Sequence, residues 1–434
     1  MRPYVFAIPP RRAALVLATW TGATWAISEQ GLEENVAPES ATTPLAPYSL
    51  QRLIDFPLFH PRVTLNLRTY DFGQDFEHVP TQQTWAAGGR LGLETPEWRE
   101  TVSAGVAVYG SFPLYQKPGN VDITRLVKPD GDALTVPGET YLNLRHDGLN
   151  LRLYRQLLDA DYLNAQDNRM IPNVHEAYTL IYKSDRIYGG VGEVTRMKTR
   201  ASDEYLPMAE AAGVRGGTSG ASVAGARLQP TDKTSIIGLM IYNWDVFSIL
   251  YTSARVGTDL GPQTDLNLSG QFTSERSVGE QQLGHFDTYN VGLKLDLGYR
   301  KAVFTVAGTT TGSDAGIISP FGQKPSYLSL MLFDGFDRSH ERAWLVGLSY
   351  RLDDFALPSW SFVLNHAEGE DARNPTTGAD LPRARETDLT VDYRPTSGQL
   401  AGLWLRMRYA DGSLGDQRLK QWRIILNYEI KFKL

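Results

Sequence analysis

From about residue 62 to the C-terminus, apolar and polar residues alternate with period two. Near the end of the chain Trp422, Ile424, Leu426, Tyr428, Ile430, Phe432 and Leu434 share one face, and Arg423, Asn427, Glu429, Lys431 and Lys433 share the other. This is the pattern of a strand whose two faces meet different surroundings. It recurs in Val63, Leu65 and Leu67 against Arg62, Thr64, Asn66 and Arg68. It recurs again in Tyr289, Val291, Leu293 and Leu295 against Asn290, Lys294 and Asp296. About eighteen such segments begin near residues 62, 82, 100, 139, 149, 175, 187, 219, 233, 246, 263, 285, 299, 341, 359, 385, 401 and 420. Each is close to the ~9 to 11 residues that a tilted membrane strand needs.

An apolar face that runs to the final residue must be covered by a second sheet or by lipid. A pair of secreted β-sandwiches would require a linker, and none is evident. The pattern therefore predicts an all-β fold: a closed, transmembrane, antiparallel barrel of about eighteen strands, in which closure leaves no sheet edge in lipid. Short connections such as 147–148, 298 and 353–358 alternate with long ones at 111–137, 156–174, 198–218 and 310–340. Short periplasmic turns and long extracellular loops produce that alternation. The last long connection carries Phe321, Tyr327, Leu328, Leu330 and Phe333, so it is expected to fold against the lumen wall.

Upstream, Arg2, Arg11 and Arg12 precede an apolar run from Ala13 to Ala26 that is too short for a membrane helix but fits an export signal. The expected organisation is a signal peptide over 1–26, an exported lead-in over 27–61 and a barrel domain over 62–434. The destination is the outer membrane of a Gram-negative bacterium, with outer-membrane lipid and lipopolysaccharide around the barrel. A mean hydropathy of -0.30 excludes a helical membrane protein, but it says little against a barrel, where lipid-facing and water-facing residues cancel.

Composition narrows the chemistry. With no cysteine there is no disulfide framework, thiolate metal site or cysteine nucleophile. A net charge of -6 gives no reason to expect nucleic acid. The 40 glycines suit turns and bends, and the 21 tyrosines and 9 tryptophans suit interfacial girdles. Neither a nucleophile elbow nor a phosphate loop is present, and His175-Glu176 lacks a second histidine at zincin spacing. No metal, cofactor or enzyme activity is expected. An outer-membrane hydrolase assembled from distant strands and a plugged structural or adhesive barrel are the alternatives.

If the apolar face touches lipid, the opposite parity turns Arg62, Arg68, Arg90, Arg406, Arg408 and Arg423 inward on the first, second and last two strands. Closure makes these neighbours on one wall. Arg145, Arg152 and Lys294 extend the basic surface, and Arg394 ends the strand before. Guanidinium forks spaced along a narrow lumen favour carboxylates and pass an anion from site to site. The other reading is that these cations balance lumenal carboxylates such as Glu386, Asp388 and Asp392.

The chain resembles the OprD family of substrate-specific outer-membrane porins. Leu67-Arg68-Thr69-Tyr70 resembles the family's first strand, Trp85-Ala86-Ala87-Gly88 its WAQG stretch and Asp167 through Pro172 the SRLLP segment of a constriction loop. Pro325 through Ser329, Asp334-Gly335-Phe336 and Trp344 through Phe362 follow in order, then Glu386 through Tyr393 and Leu405-Arg406-Met407-Arg408-Tyr409. The resemblance implies an eighteen-stranded channel with inward-folded loops and a basic ladder that includes Arg68, Arg406, Arg408 and Arg423. It assigns constriction to the loops holding Arg169 and Tyr327. It also implies passive diffusion of small carboxylate-bearing solutes, aromatic or cyclic acids among them, through a monomer or trimer. Gly347, Ser349 and Ala107 stand where many members carry charged lumenal residues, which argues against a pore tuned for basic amino acids.

Overall fold

A computed structural model describes residues 60–118 and 124–433; the expected export signal and most of the lead-in lie outside them. Among the described residues, eighteen long strands form one antiparallel barrel. They are β1 (Arg62–Phe76), β2 (Gln82–Glu94), β3 (Val102–Gln116), β4 (Leu134–His146), β5 (Leu149–Gln156) and β6 (Val174–Lys183). Next come β7 (Ile187–Lys198), β8 (Ala221–Thr231), β9 (Thr234–Asn243), β10 (Phe247–Gly261), β11 (Thr264–Ser277) and β12 (Asp287–Tyr299). The last are β13 (Ala302–Thr311), β14 (Arg342–Arg351), β15 (Trp360–Glu370), β16 (Ala384–Tyr393), β17 (Leu403–Leu414) and β18 (Gln417–Lys433). Each pairs with its sequence neighbours. β1 also pairs with β18 from Arg62 opposite Lys433 to Phe76 opposite Leu419, which closes the sheet. A two-residue strand, Leu206–Pro207, adds to the edge of β7 at Met197 and Arg196. Among the described residues no helix is long and apolar enough to cross a membrane.

The strands begin within a few residues of their expected positions, and β4 is displaced most. It starts at Leu134 rather than 139 because Leu134 and Val136 face inward and are buried against loop residues Leu126 and Val127. A register shift at Ala107/Val108, opposite Pro137, interrupts the alternation there. Residues of outward parity such as Leu293, Leu268 and Val306 are more than half exposed, whereas their inward neighbours Lys294, Asn267 and Ala307 are buried. Small residues let neighbouring strands approach closely at Gly88 and Gly89: a Cβ would lie 2.0 Å from the Gly110 carbonyl oxygen and 1.8 Å from that of Asn66, respectively.

The long connections leave one end of the barrel: 117–133, 157–173, 199–220, 312–341 and 371–383. Apolar residues of 157–173 and 312–341 turn back onto the inner wall. Met170 and Ile171 pack with Tyr70, Phe72 and Tyr109 on the inner wall of β1–β4. Leu158, Tyr162, Leu163, Ile317 and Phe321 pack with Phe247, Ile249 and Tyr251 of β10. Leu328, Leu330 and Phe336 rest on Ala307, Ala343, Leu345, Ala367 and Ala384 of β13–β16. Inward alanines leave the space that the loops fill, so burial of loop apolar surface at about 25 cal/mol per Å² holds the loops inside the lumen.

Candidate functional site

Closure of β1 on β18 assembles the basic wall. Arg68 on β1 donates from Nε to Asn427 Oδ1 of β18 at 2.6 Å. Its two terminal nitrogens reach Asp167 Oδ1 and Oδ2 at 2.6 and 2.8 Å, a bidentate pair with the 157–173 loop. On β17, Arg406 grips Asp392 through two bonds of 2.8 and 2.9 Å. Arg408 donates to Thr390 Oγ1 at 3.0 Å and to Asp388 Oδ2 at 3.4 Å. Arg423 of β18, the register partner of Arg408, donates to neutral acceptors: Gln421 Oε1 at 2.9 Å and the Met331 carbonyl at 3.1 Å. Inward carboxylates thus engage three of the four ladder arginines, and Arg423 is held by an amide and a backbone carbonyl.

Two loops meet inside the lumen. Asn164 Oδ1 accepts from Gln323 N at 2.9 Å while Asn164 Nδ2 donates to the Gln323 carbonyl at 2.9 Å, tying loop 157–173 to loop 312–341. Glu386 of β16 accepts the backbone N–H groups of Met331, Leu332 and Phe333 at 2.7, 2.9 and 3.0 Å. One buried carboxylate therefore clamps a turn of the second loop, through charge-assisted bonds stronger than neutral ones. Lys198, fully buried at the end of β7, donates to the carbonyls of Pro172 and Thr199 at 3.1 and 2.9 Å and holds the far end of the first loop.

At the junction of loop and wall, the guanidinium groups of Arg169 and Arg423 lie over the ring of Phe72, 4.8 and 4.9 Å from its centroid. Tyr70 stacks beside Phe72 at 6.2 Å. Arg169 donates to the carbonyls of Thr124 and Asn168 at 2.7 and 2.8 Å, and Arg200 donates to Asn168 Oδ1. Burial, with Arg125 and Arg423 nearby, pushes the Arg200 guanidinium down to about 10, so it stays charged at neutral pH. Cations are thus gathered around a buried aromatic pair.

The remaining expected residues lie apart. Arg62 is partly exposed at the short-turn end, 3.9 Å from Glu94. Arg90 pairs with Glu139 at 2.9 Å, and Tyr109 donates to the same carboxylate oxygen at 2.6 Å. Arg145 pairs with Glu97 at 2.5 Å, Arg152 donates to Asn143 at 2.6 Å, and Arg394 stacks on Trp404 at 4.3 Å. Lys294 is on another wall, 2.9 Å from Asp296 and 5.6 Å from the Tyr327 ring, where the second loop passes.

Sequence reasoning missed Tyr70, Phe72, Arg200 and Asp167. Tyr70 and Phe72 carry a readable signal, since they are aromatics on the polar parity of β1. Nothing in the sequence sets Asp159 and Asp161 apart from solvated loop carboxylates. They lie instead on a small hairpin inside the lumen, near inward-facing Arg227, and burial raises Asp161 to about 6.

A family model described as outer membrane porin, OprD family, matches residues 60–432. Solved structures of Pseudomonas aeruginosa porins are similar. OccK9 (OpdG) superposes with a TM-score of 0.77 at 21% identity, covering 86% of this chain and 98% of its own. OpdK with vanillate gives 0.73 at 19%, covering 86% and 99%. OprD gives 0.71 at 17%, covering 86% and 95%. No curated protein matches.

Proposed function

The chain belongs to the OprD family of outer-membrane porins, substrate-specific channels, and from that premise we propose that it passes small carboxylate-bearing solutes passively along an arginine-lined lumen. Flat aromatic acids are the preferred class. The observation that carries this reading is the pair of guanidinium groups, Arg169 and Arg423, over Phe72. A carboxylate there meets the planar Arg423 guanidinium, whose acceptors in the loop and on β18 are an amide oxygen and a backbone carbonyl. Arg408 and Arg406 continue the path along β17, and their bonds to Asp388 and Asp392 keep an arriving anion from being held too tightly to leave. Arg68 joins this basic surface from β1, while Arg90, Arg394 and Arg62 lie apart from it and Lys294 with Tyr327 lies on another wall. The similar porin OpdK has been solved with vanillate, itself an aromatic carboxylate, which supports the assignment of substrate class.

Single-channel recording in planar bilayers tests this. Benzoate should interrupt the current of the native channel, and benzyl alcohol, the same ring without the charge, should not. Arg423→Gln should weaken the benzoate block by about tenfold, the equivalent of one charge-assisted contact of ~1.4 kcal/mol. The double variant Arg406→Ala, Arg408→Ala should shorten anion residence further. Equal block in native and variant channels would remove the arginine path while leaving the pore. A protein with no unitary conductance would be a plugged barrel.

A further inference from the structure

At the long-loop end of the pore, two guanidinium groups from different loops converge on one neutral oxygen. Asn168 Oδ1 accepts from Arg169 of loop 157–173 at 3.3 Å and also from Arg200 of loop 199–220. An amide oxygen thus stands where both donors would form stronger, charge-assisted bonds to an anion. Arg125 brings a third cation from loop 117–133. It is exposed, and its backbone holds a φ of 58°, left-handed and uncommon for a long side chain. The buried residues on either side hold that posture: the Thr124 carbonyl accepts from Arg169 at 2.7 Å, and the Leu126 carbonyl accepts from Ser111 Oγ at 2.7 Å. Strained positions held by their neighbours in this way gather at ligand clamps. Among the described residues, the carboxylates nearby do not cancel the three cations. Asp167 is bound bidentately to Arg68, while Asp203, Asp130 and Asp132 face Lys128. Asp334 of loop 312–341 acts on Arg200, but Arg125 and Arg423 act on that guanidinium more strongly.

We infer that Arg125, Arg169 and Arg200, grouped around Asn168, form an outer docking site that captures the solute's carboxylate before it reaches Arg423. The inference rests on the carboxylate reading of the pore and adds an entry step to it. Arg169 belongs to both sites: it donates to Asn168 Oδ1, and its guanidinium lies over Phe72 together with that of Arg423. An anion docked at the mouth therefore passes inward without leaving a cation. Charges of one sign in a cleft concentrate counter-ions there and speed their arrival. Because the three residues sit on loops at one end of the barrel, they speed entry from that side alone.

The test is single-channel recording of the full-length protein, in channels of one orientation, with benzoate added to one side at a time. One variant combines Arg125→Gln with Arg200→Gln. The other, Asn168→Asp, keeps all three arginines and fills their shared position with a fixed carboxylate. Heat-modifiable gel migration reports an intact barrel in each. From the long-loop side, benzoate should reach either variant about tenfold more slowly than it reaches the native channel, the lower end of what electrostatic steering supplies. From the short-turn side its arrival rate should equal the native one. A native arrival rate from the long-loop side in an intact variant would overturn the inference. An equal loss from both sides would overturn it too, by assigning these residues to the deeper site. A native channel that benzoate never interrupts would instead fail the carboxylate reading itself, and the docking site with it.

Discussion

Arg408 and Arg423 occupy opposing positions on neighbouring strands, two like charges at one level of the wall. Such a pair is tolerated because Asp388 and Thr390 engage one side chain, while Gln421 and the Met331 carbonyl engage the other. The parity of the strands made both inward positions legible in the sequence. The identity of their partners was not, since Met331 lies on a loop whose path no local pattern encodes. The same limit hid the lumenal carboxylates of the first loop. Burial raises Asp161 to about 6, so this side chain is mostly charged at pH 7 and mostly neutral at pH 5. Acidification then removes negative charge from the lumen. Anion selectivity, read from reversal potentials in a salt gradient, should rise as pH falls from 7 to 5, and Asp161→Asn should flatten most of that rise. A native channel with no change over this range would place the titrating group elsewhere.

At the level of elements, the strands followed from period two alone, whereas the loops depend on contacts between distant segments. Loop 312–341 could be read as folded from its apolar content; where it docks is decided by the alanines of β13–β16 and by Glu386. Alanine on an inward face looks unremarkable in sequence, because its meaning is the space it leaves for something else. Glu386→Ala strips three backbone N–H groups of their acceptor, at about 1–3 kcal/mol for each one that water cannot reach. The expected result is a lower thermal midpoint and a larger, noisier unitary conductance as the loop leaves the lumen. Glu386→Gln, which keeps one acceptor oxygen, should fall between the two. Conductance identical to native in the alanine variant would show that the apolar docking alone holds the loop.

Across the described residues, the arrangement is a tube with its arginine ladder gathered where the first and last strands meet. Electrostatic attraction along such a wet wall is screened over a distance of about 10 Å in 0.1 M salt and about 3 Å at 1 M. Selectivity for anions should therefore shrink between these concentrations while conductance grows, and a salt-independent permeability ratio would assign discrimination to shape instead. The Arg68–Asn427 bond across the β1–β18 seam also sets an order of events. Residues separated by most of the chain must find one another, which makes closure a slow, late step. The wall that recognises the solute does not exist until that step is complete. A barrel halted one strand short would have an open edge and half a filter, so carboxylate-dependent block of the current doubles as a clock for the last act of folding.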